Sequence, residues 1–351
     1  MRLLLAICIA LGGVAVQAAP LKVAFVYVSP VGDVGWSYSH DLGRQHLEQT
    51  FGSTIQTEFV DSVPEGRKAR ATIVKLAQEN DVVFATSWGY MVSMERVAEQ
   101  FPNVHFEHAT GIRRGENLST YATRSYEARY LAGMVAAAMS NTNRIGYVAA
   151  FPIPEVIRGI NAFTLGAQSI NPTVTVAVEW TNAWYAPAVS TKLSNKLIDG
   201  GADVLAQHTD SPAPVETAQK RGVYAIGYHS DMSAYGSTSH LTSVIHDWGK
   251  LYQKRIQSFM DKTAQVEDLW TGLKEGSTKL SAISAKVPSH IKEKVEMAKQ
   301  QIISGELNIF SGPIRNHKGR MRVKDSKTLD DEDLSRMNWY VAGVEGDLKF
   351  Y

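Results

Sequence analysis

Short apolar runs rich in β-branched residues alternate along this chain with segments whose apolar positions recur at helical spacing, a pattern that predicts parallel sheets assembled from βαβ units. Val23–Val28 reads as a first strand, followed by a helix over Trp36–Phe51 with Leu42, Leu47 and Phe51 among its apolar positions. Thr57–Val60, Val82–Thr86 and Val104–His108 read as the next strands, with helices opening at Pro64 and running to Gln100, and an alanine-rich helix over Ser125–Ser140 closes the first unit. The cycle then repeats. Strands are expected at Ile145–Ala149, Val174–Trp180, Val204–His208 and Val223–Tyr228, with helices at Glu155–Ile170 and Ala188–Ile198. Beyond Asp231 the order changes: a strand at Leu241–Ile245, a helix over Asp247–Met260, a strand-like run at Leu269–Leu273 and a helix from Pro288 look like returns between two lobes. A hairpin carrying Gly312, Pro313 and Gly319 follows. The expected division is 20–140 plus 240–262 for one lobe and 141–239 plus 263–351 for the other. Two cores suit the length, because single cores stop growing at roughly 250 to 300 residues.

The N-terminus departs from this rhythm. Arg2, the apolar run Leu3–Ala10 and small residues through Ala19 read as a cleavable export leader over residues 1–19, with cleavage after Ala18, and place the mature protein in the periplasm. Its apolar stretch is too short for a spanning helix, which needs about 18 or more residues. The single cysteine, Cys8, lies in this leader behind Ile7, where a lipid-attachment site wants a small residue, so a lipoprotein is not expected. The mature chain would then carry no thiol, which removes cysteine catalysis and thiolate metal sites. A net charge of +1, from 36 basic and 35 acidic residues, gives no footprint for a polyanion and argues against nucleic acid as a partner.

In open parallel sheets, ligands bind beyond the carboxyl ends of the strands, so the residues just after each strand are the candidates. In the first half these include Asp33, Trp36, Ser37, Trp88, Tyr90 and Thr110; in the second, Trp184, His208, Asp210 and Asp231. Tryptophans at equivalent positions in both halves point to a flat ligand held between rings, and a purine-like base fits. Ionised Asp33, Asp210 and Asp231 would accept from ring N–H and amino groups, while Ser37, Thr110 and His208 serve either role. Each has a plainer reading beside the functional one. Trp36, Trp88 and Trp184 could be core plugs, and Asp33 and Asp210 could cap helices beginning near Gly35 and after Pro212. Trp180, Trp248, Trp270 and Trp339 read as packing. No HxH or HxxxH pair is present, His105 and His108 point to opposite faces of a strand, and no GxSxG, HExxH or glycine-rich phosphate loop appears. Neither a metal nor a cofactor is therefore expected. Paired aspartates in a cleft can activate water, which keeps a nucleosidase as an alternative.

Several segments together carry a family resemblance. Asp33-Val34-Gly35-Trp36-Ser37 through Gly43, Phe101-Pro102-Asn103-Val104-His105-Phe106, Ile226-Gly227-Tyr228-His229-Ser230-Asp231 and Ile303-Ser304-Gly305-Glu306 resemble the basic membrane protein group of ABC-transporter substrate-binding proteins, which includes purine nucleoside receptors. Trp36 stands where the group has a stacking Phe, and Ser37 where it has a base-binding Asn. The resemblance implies a type I periplasmic binding fold, with two Rossmann-like lobes, parallel sheets and a three-segment hinge that closes around one ligand. It says nothing about catalysis, and it is the missing catalytic motifs that argue against an enzyme; closure around a ligand needs only a monomer, whose closed form would be recognised by an inner-membrane permease. Thr110 and His229 stand where acids around a sugar would be expected, so the resemblance implies a free, adenine-like purine base. A purine nucleoside receptor and a ligand-sensing module for a chemoreceptor or sensor kinase are the alternatives.

Overall fold

The computed structural model describes residues 19–348. Apart from Ala19, the leader read from the sequence lies outside the described residues. The first run of elements is β1 (Leu21–Val26), α1 (Trp36–Phe51), β2 (Ile55–Val60), α2 (Arg67–Glu79), β3 (Val82–Ala85), α3 (Met91–Ala98), β4 (His105–Ala109) and β5 (Leu118–Thr123). The second is α4 (Ser125–Met139), β6 (Arg144–Ala149), α5 (Pro154–Ile170), β7 (Thr175–Trp180), α6 (Pro187–Asp199), β8 (Val204–His208), α7 (Ala213–Arg221), β9 (Tyr224–His229) and β10 (His240–His246). The chain continues through α8 (Gly249–Met260), β11 (Asp268–Thr271), β12 (Thr278–Leu280), α9 (Ser289–Ser304), the hairpin β13 (Ile314–Arg315) and β14 (Met321–Val323), α10 (Asp331–Ser335) and β15 (Val344–Glu345).

Two sheets result, in the orders β11-β5-β4-β3-β1-β2 and β12-β10-β9-β8-β6-β7-β15. All neighbours are parallel except β10 and β12. Each sheet is buried on both faces. In the first, Ala24, Val26 and Val83 pack with Ile73 and Met94, while Val23, Phe25 and Phe84 pack with Leu47, Leu251 and Tyr252. In the second, Ile145 and Tyr147 pack with Val135 and Phe163, and Val148 and Leu205 with Leu197 and Val215. Two-sided burial is why these strands read as continuous apolar runs rather than alternating ones.

The structure moves three elements across the expected lobe boundary. Helix α4 joins the second lobe, where Gly133 lies against the Phe163 carbonyl of α5 and Gly166 against that of Tyr130, a crossing too close for side chains. Strand β10, expected in the first lobe, pairs with β9 in the second sheet. Strand β11, expected in the second, pairs with β5 in the first. The chain therefore crosses between lobes just after Thr123, His246 and Thr271. The three crossings are bonded to one another: Thr123 Oγ1 lies 2.7 Å from His246 Nδ1, and Arg124 N–H donates to Thr271 O at 2.6 Å.

Candidate ligand-binding site

In each sheet the strand order reverses at one point, between β1 and β3 in the first lobe and between β6 and β8 in the second. Loops at such a reversal diverge and leave a crevice at the strand ends. The two crevices face each other and enclose a small cavity. From the first lobe it is lined by Trp36 after β1, Thr86, Ser87 and Trp88 after β3, and Thr110 after β4; from the second by Glu155 after β6, Trp184 after β7, His208 and Asp210 at β8 and His229 ending β9. Three tryptophans from two lobes thus share one space.

Two of the rings, Trp36 and Trp184, are fixed by a polar contact at the edge. Trp36 Nε1 donates to Thr86 O at 2.5 Å, and edge-on contacts with His40, His229 and Trp248 hold the rest of the indole. Trp184 packs edge-on against Phe151 at 5.0 Å, and its Nε1 reaches across the cleft to Glu65 Oε1 at 3.1 Å. Glu65 also accepts from Ser87 Oγ at 2.6 Å. Two cavity residues hold left-handed backbone without being glycine, Thr110 at φ 61° and His229 at φ 70°. Such positions store about 1–3 kcal/mol each and gather at functional sites.

The polar wall belongs mostly to the second lobe. Asp210 is buried, its Oδ2 accepts from Ser29 Oγ of the first lobe at 2.8 Å, and Ser29 Oγ lies 2.7 Å from Ser37 Oγ. Burial raises its pKa to about 7, against the smaller pull of the Ser29 bond. His229 Nε2 stands 3.4 Å from Asp210 Oδ1. Burial holds the imidazoles of His208 and His229 well below their ordinary pKa, with Arg129 pushing the same way, so both are neutral and offer one donor and one acceptor. Burial raises the Glu155 carboxyl while Arg158 and Arg129 pull it back. Neither arginine forms a direct ion pair with it among the described residues. Arg129 is wholly buried, lies 3.4 Å over the Tyr228 ring, and none of its three nitrogens finds a hydrogen-bond acceptor there.

Of the residues singled out in the sequence, Trp36, Trp88, Thr110, Trp184, His208 and Asp210 line the cavity. Ser37 does not; it is buried behind Ser29, one bond removed from Asp210. Tyr90 is a core residue whose hydroxyl donates to Val63 O at 2.5 Å. Asp33 is turned outward and accepts from Tyr235 OH at 2.7 Å across the cleft rim, and the exposed Asp231 accepts from Ser233 N–H at 2.9 Å in its own turn. Neither aspartate reaches the cavity, because the chain has already left the strand end and bends toward solvent there. The residues selected from the sequence leave out Glu155, Ser87 and His229, although the family resemblance sets His229 beside the ligand. Glu155 was findable, since it follows the strand that forms the reversal point of its sheet. Among the described residues no cluster of three or more His, Cys, Asp or Glu could hold a metal, and no helix is long and apolar enough to cross a membrane.

Comparison with known proteins places this geometry. Residues 21–311 match the family model described as ABC transporter substrate-binding protein PnrA-like. A purine-binding protein of Brucella abortus is 42% identical over 96% of this chain and 97% of its own length. A Haloferax volcanii protein that carries the name of an ABC transporter glucose-binding protein is 37% identical over 96% of this chain and 83% of its own. Among solved structures, an ABC transporter solute-binding protein from Aeropyrum pernix superposes with a TM-score of 0.72 at 18% identity, covering 90% of this chain and 95% of that one, a likeness of fold. The chain belongs to the Bmp family of PnrA-like ABC transporter substrate-binding proteins.

Proposed function

We propose that the protein captures a purine-type nucleobase, adenine-like, between its lobes in the periplasm and presents it as a monomer to an inner-membrane permease, without converting it. The observation that carries this reading is the small cavity walled by Trp36, Trp88 and Trp184, with carboxyl and imidazole groups at its edge. The cavity is small and mostly closed over by the two lobes, which suits a base better than a base with its sugar. Stacking contributes about 1–3 kcal/mol per base, so rings from two lobes supply much of a micromolar affinity before any edge contact forms. The name of the Brucella relative supports a purine.

Isothermal titration of the purified protein against adenine, guanine, hypoxanthine, adenosine and glucose tests it. Saturable one-site binding of a base, tighter than adenosine and glucose, is expected, and incubation with adenosine should release no free base. Tighter binding of adenosine or glucose than of every base overturns the assignment.

A further inference from the structure

Beyond the tryptophans lies a second space. An outward-facing pocket shares Trp88 and Trp184 with the ligand cavity, and its remaining walls include Phe151, Ile153, Pro154 and the buried Met337. Glu65 is its one charged lining residue, and that carboxylate already accepts from Ser87 and Trp184. A pocket of this composition offers a sugar almost nothing to bind, whereas it would take apolar surface out of water. The two spaces meet at the Trp184–Glu65 hydrogen bond, a single contact between partly exposed side chains of different lobes.

We propose that the outer pocket is a second subsite, which holds an apolar substituent attached to the heterocycle in the inner cavity. It extends the ligand class to N-alkylated and N-arylalkylated purines. The inference rests on the purine reading above and adds to it a reason for the apolar mouth of the site. A substituent leaving the base between Trp88 and Trp184 displaces the indole of Trp184 from Glu65 and covers Ile153 and Pro154. Each methylene so buried tightens binding about fourfold.

The probes are adenine and N6-benzyladenine, titrated into the wild-type protein and into Ile153→Asp. Ile153 is the N-cap residue of α5, a position that favours aspartate, so the variant is expected to fold while placing a carboxylate in the outer pocket. The wild type should bind N6-benzyladenine at least about tenfold more tightly than adenine. Ile153→Asp should remove about tenfold of the N6-benzyladenine affinity and leave adenine within about twofold. Adenine binding with N6-benzyladenine weaker, or an equal preference for the benzyl compound in both proteins, overturns the subsite and leaves the purine reading standing. Absence of binding by both compounds overturns the two together.

Discussion

Each lobe buries arginine and glutamate side chains, and the two lobes treat them in opposite ways. In the first, Arg255 of α8 donates to Glu107 of β4 at 2.6 and 2.9 Å, to Ser119 Oγ and Gln265 O at 3.1 Å, and to Glu267 at 3.0 Å. Its charge is answered from within, and the cluster fastens α8 to the sheet. In the second, Glu155 opens onto the cavity, Arg129 has only the Tyr228 ring beneath it, and Arg158 donates to Leu334 O at 2.8 Å and lies 4.7 Å from the Trp270 ring centroid. A buried guanidinium whose nitrogens are all answered is a fastening, even though Glu107 Oε2 has no hydrogen-bond partner among the described residues. A carboxylate facing a cavity with cations held behind it has bonding capacity left for something that arrives from outside.

The largest effect should come from breaking the fastening. Glu107→Ala leaves a buried guanidinium that cannot shed its proton, and should lower stability by about 3–5 kcal/mol, read as a fall in denaturation midpoint. An unchanged midpoint would remove the contrast between the lobes. Glu155→Gln should do the reverse, weakening base binding by about 1.5–3 kcal/mol in titration calorimetry with little change in melting temperature. A large loss of stability there would make Glu155 another structural group.

Acidification probes the same asymmetry. His40, His208, His229 and His246 are held well below the ordinary histidine pKa, mainly by burial, and the last three are the end residues of strands of the second lobe. The unfolded chain takes up protons near pH 6.5 while the folded chain does not, so their contribution is present above that pH and is lost as pH falls below it. Asp210 and Glu107, each raised to about 7 by burial, and Glu127 and Glu155, raised in the same direction, work against this, because in the acid range the folded state holds protons that the unfolded state has released. With His105, His108 and His240 depressed as well, seven groups outnumber four. Melting temperature should therefore fall from pH 7 to pH 5, by about 1.4 kcal/mol of stability per pH unit for each net proton, and a rise would contradict the assignment. The smallest effect belongs to the rim: Tyr235→Phe removes the hydroxyl that bridges to Asp33 and should weaken ligand binding by about 0.5–1 kcal/mol with no change in the unliganded melting temperature.

Most of the strands were legible in the sequence because two-sided burial writes itself as apolar runs. Strand β5 was not. Its sequence, Leu-Ser-Thr-Tyr-Ala-Thr, is largely polar yet wholly buried, and its hydroxyls are spent on partners far along the chain: Ser119 accepts from Arg255, and Thr120 donates to Asp268. The exchange of β10 and β11 between lobes was equally hidden, since nothing local in a strand says which sheet it will join. At the site, the rule of inspecting strand ends found the tryptophans, Thr110, His208 and Asp210. It also selected Asp33 and Asp231, whose side chains turn outward, a choice made by loop geometry rather than residue type. Glu155 escaped notice because an acid in the first turn of a helix has an ordinary explanation in the helix dipole.

Gly35 sits at φ 99° just before Trp36, its N–H donates to Ser230 Oγ of the opposite lobe at 3.0 Å, and a side chain there would run into the backbone carbonyl of Asp210. The shut state thus requires bare main chain at this spot. Even one methyl group would act as a doorstop, leaving both half-sites intact and ajar. Such a protein could still meet a ligand with one jaw, yet its two lobes could not come together as they do in this structure.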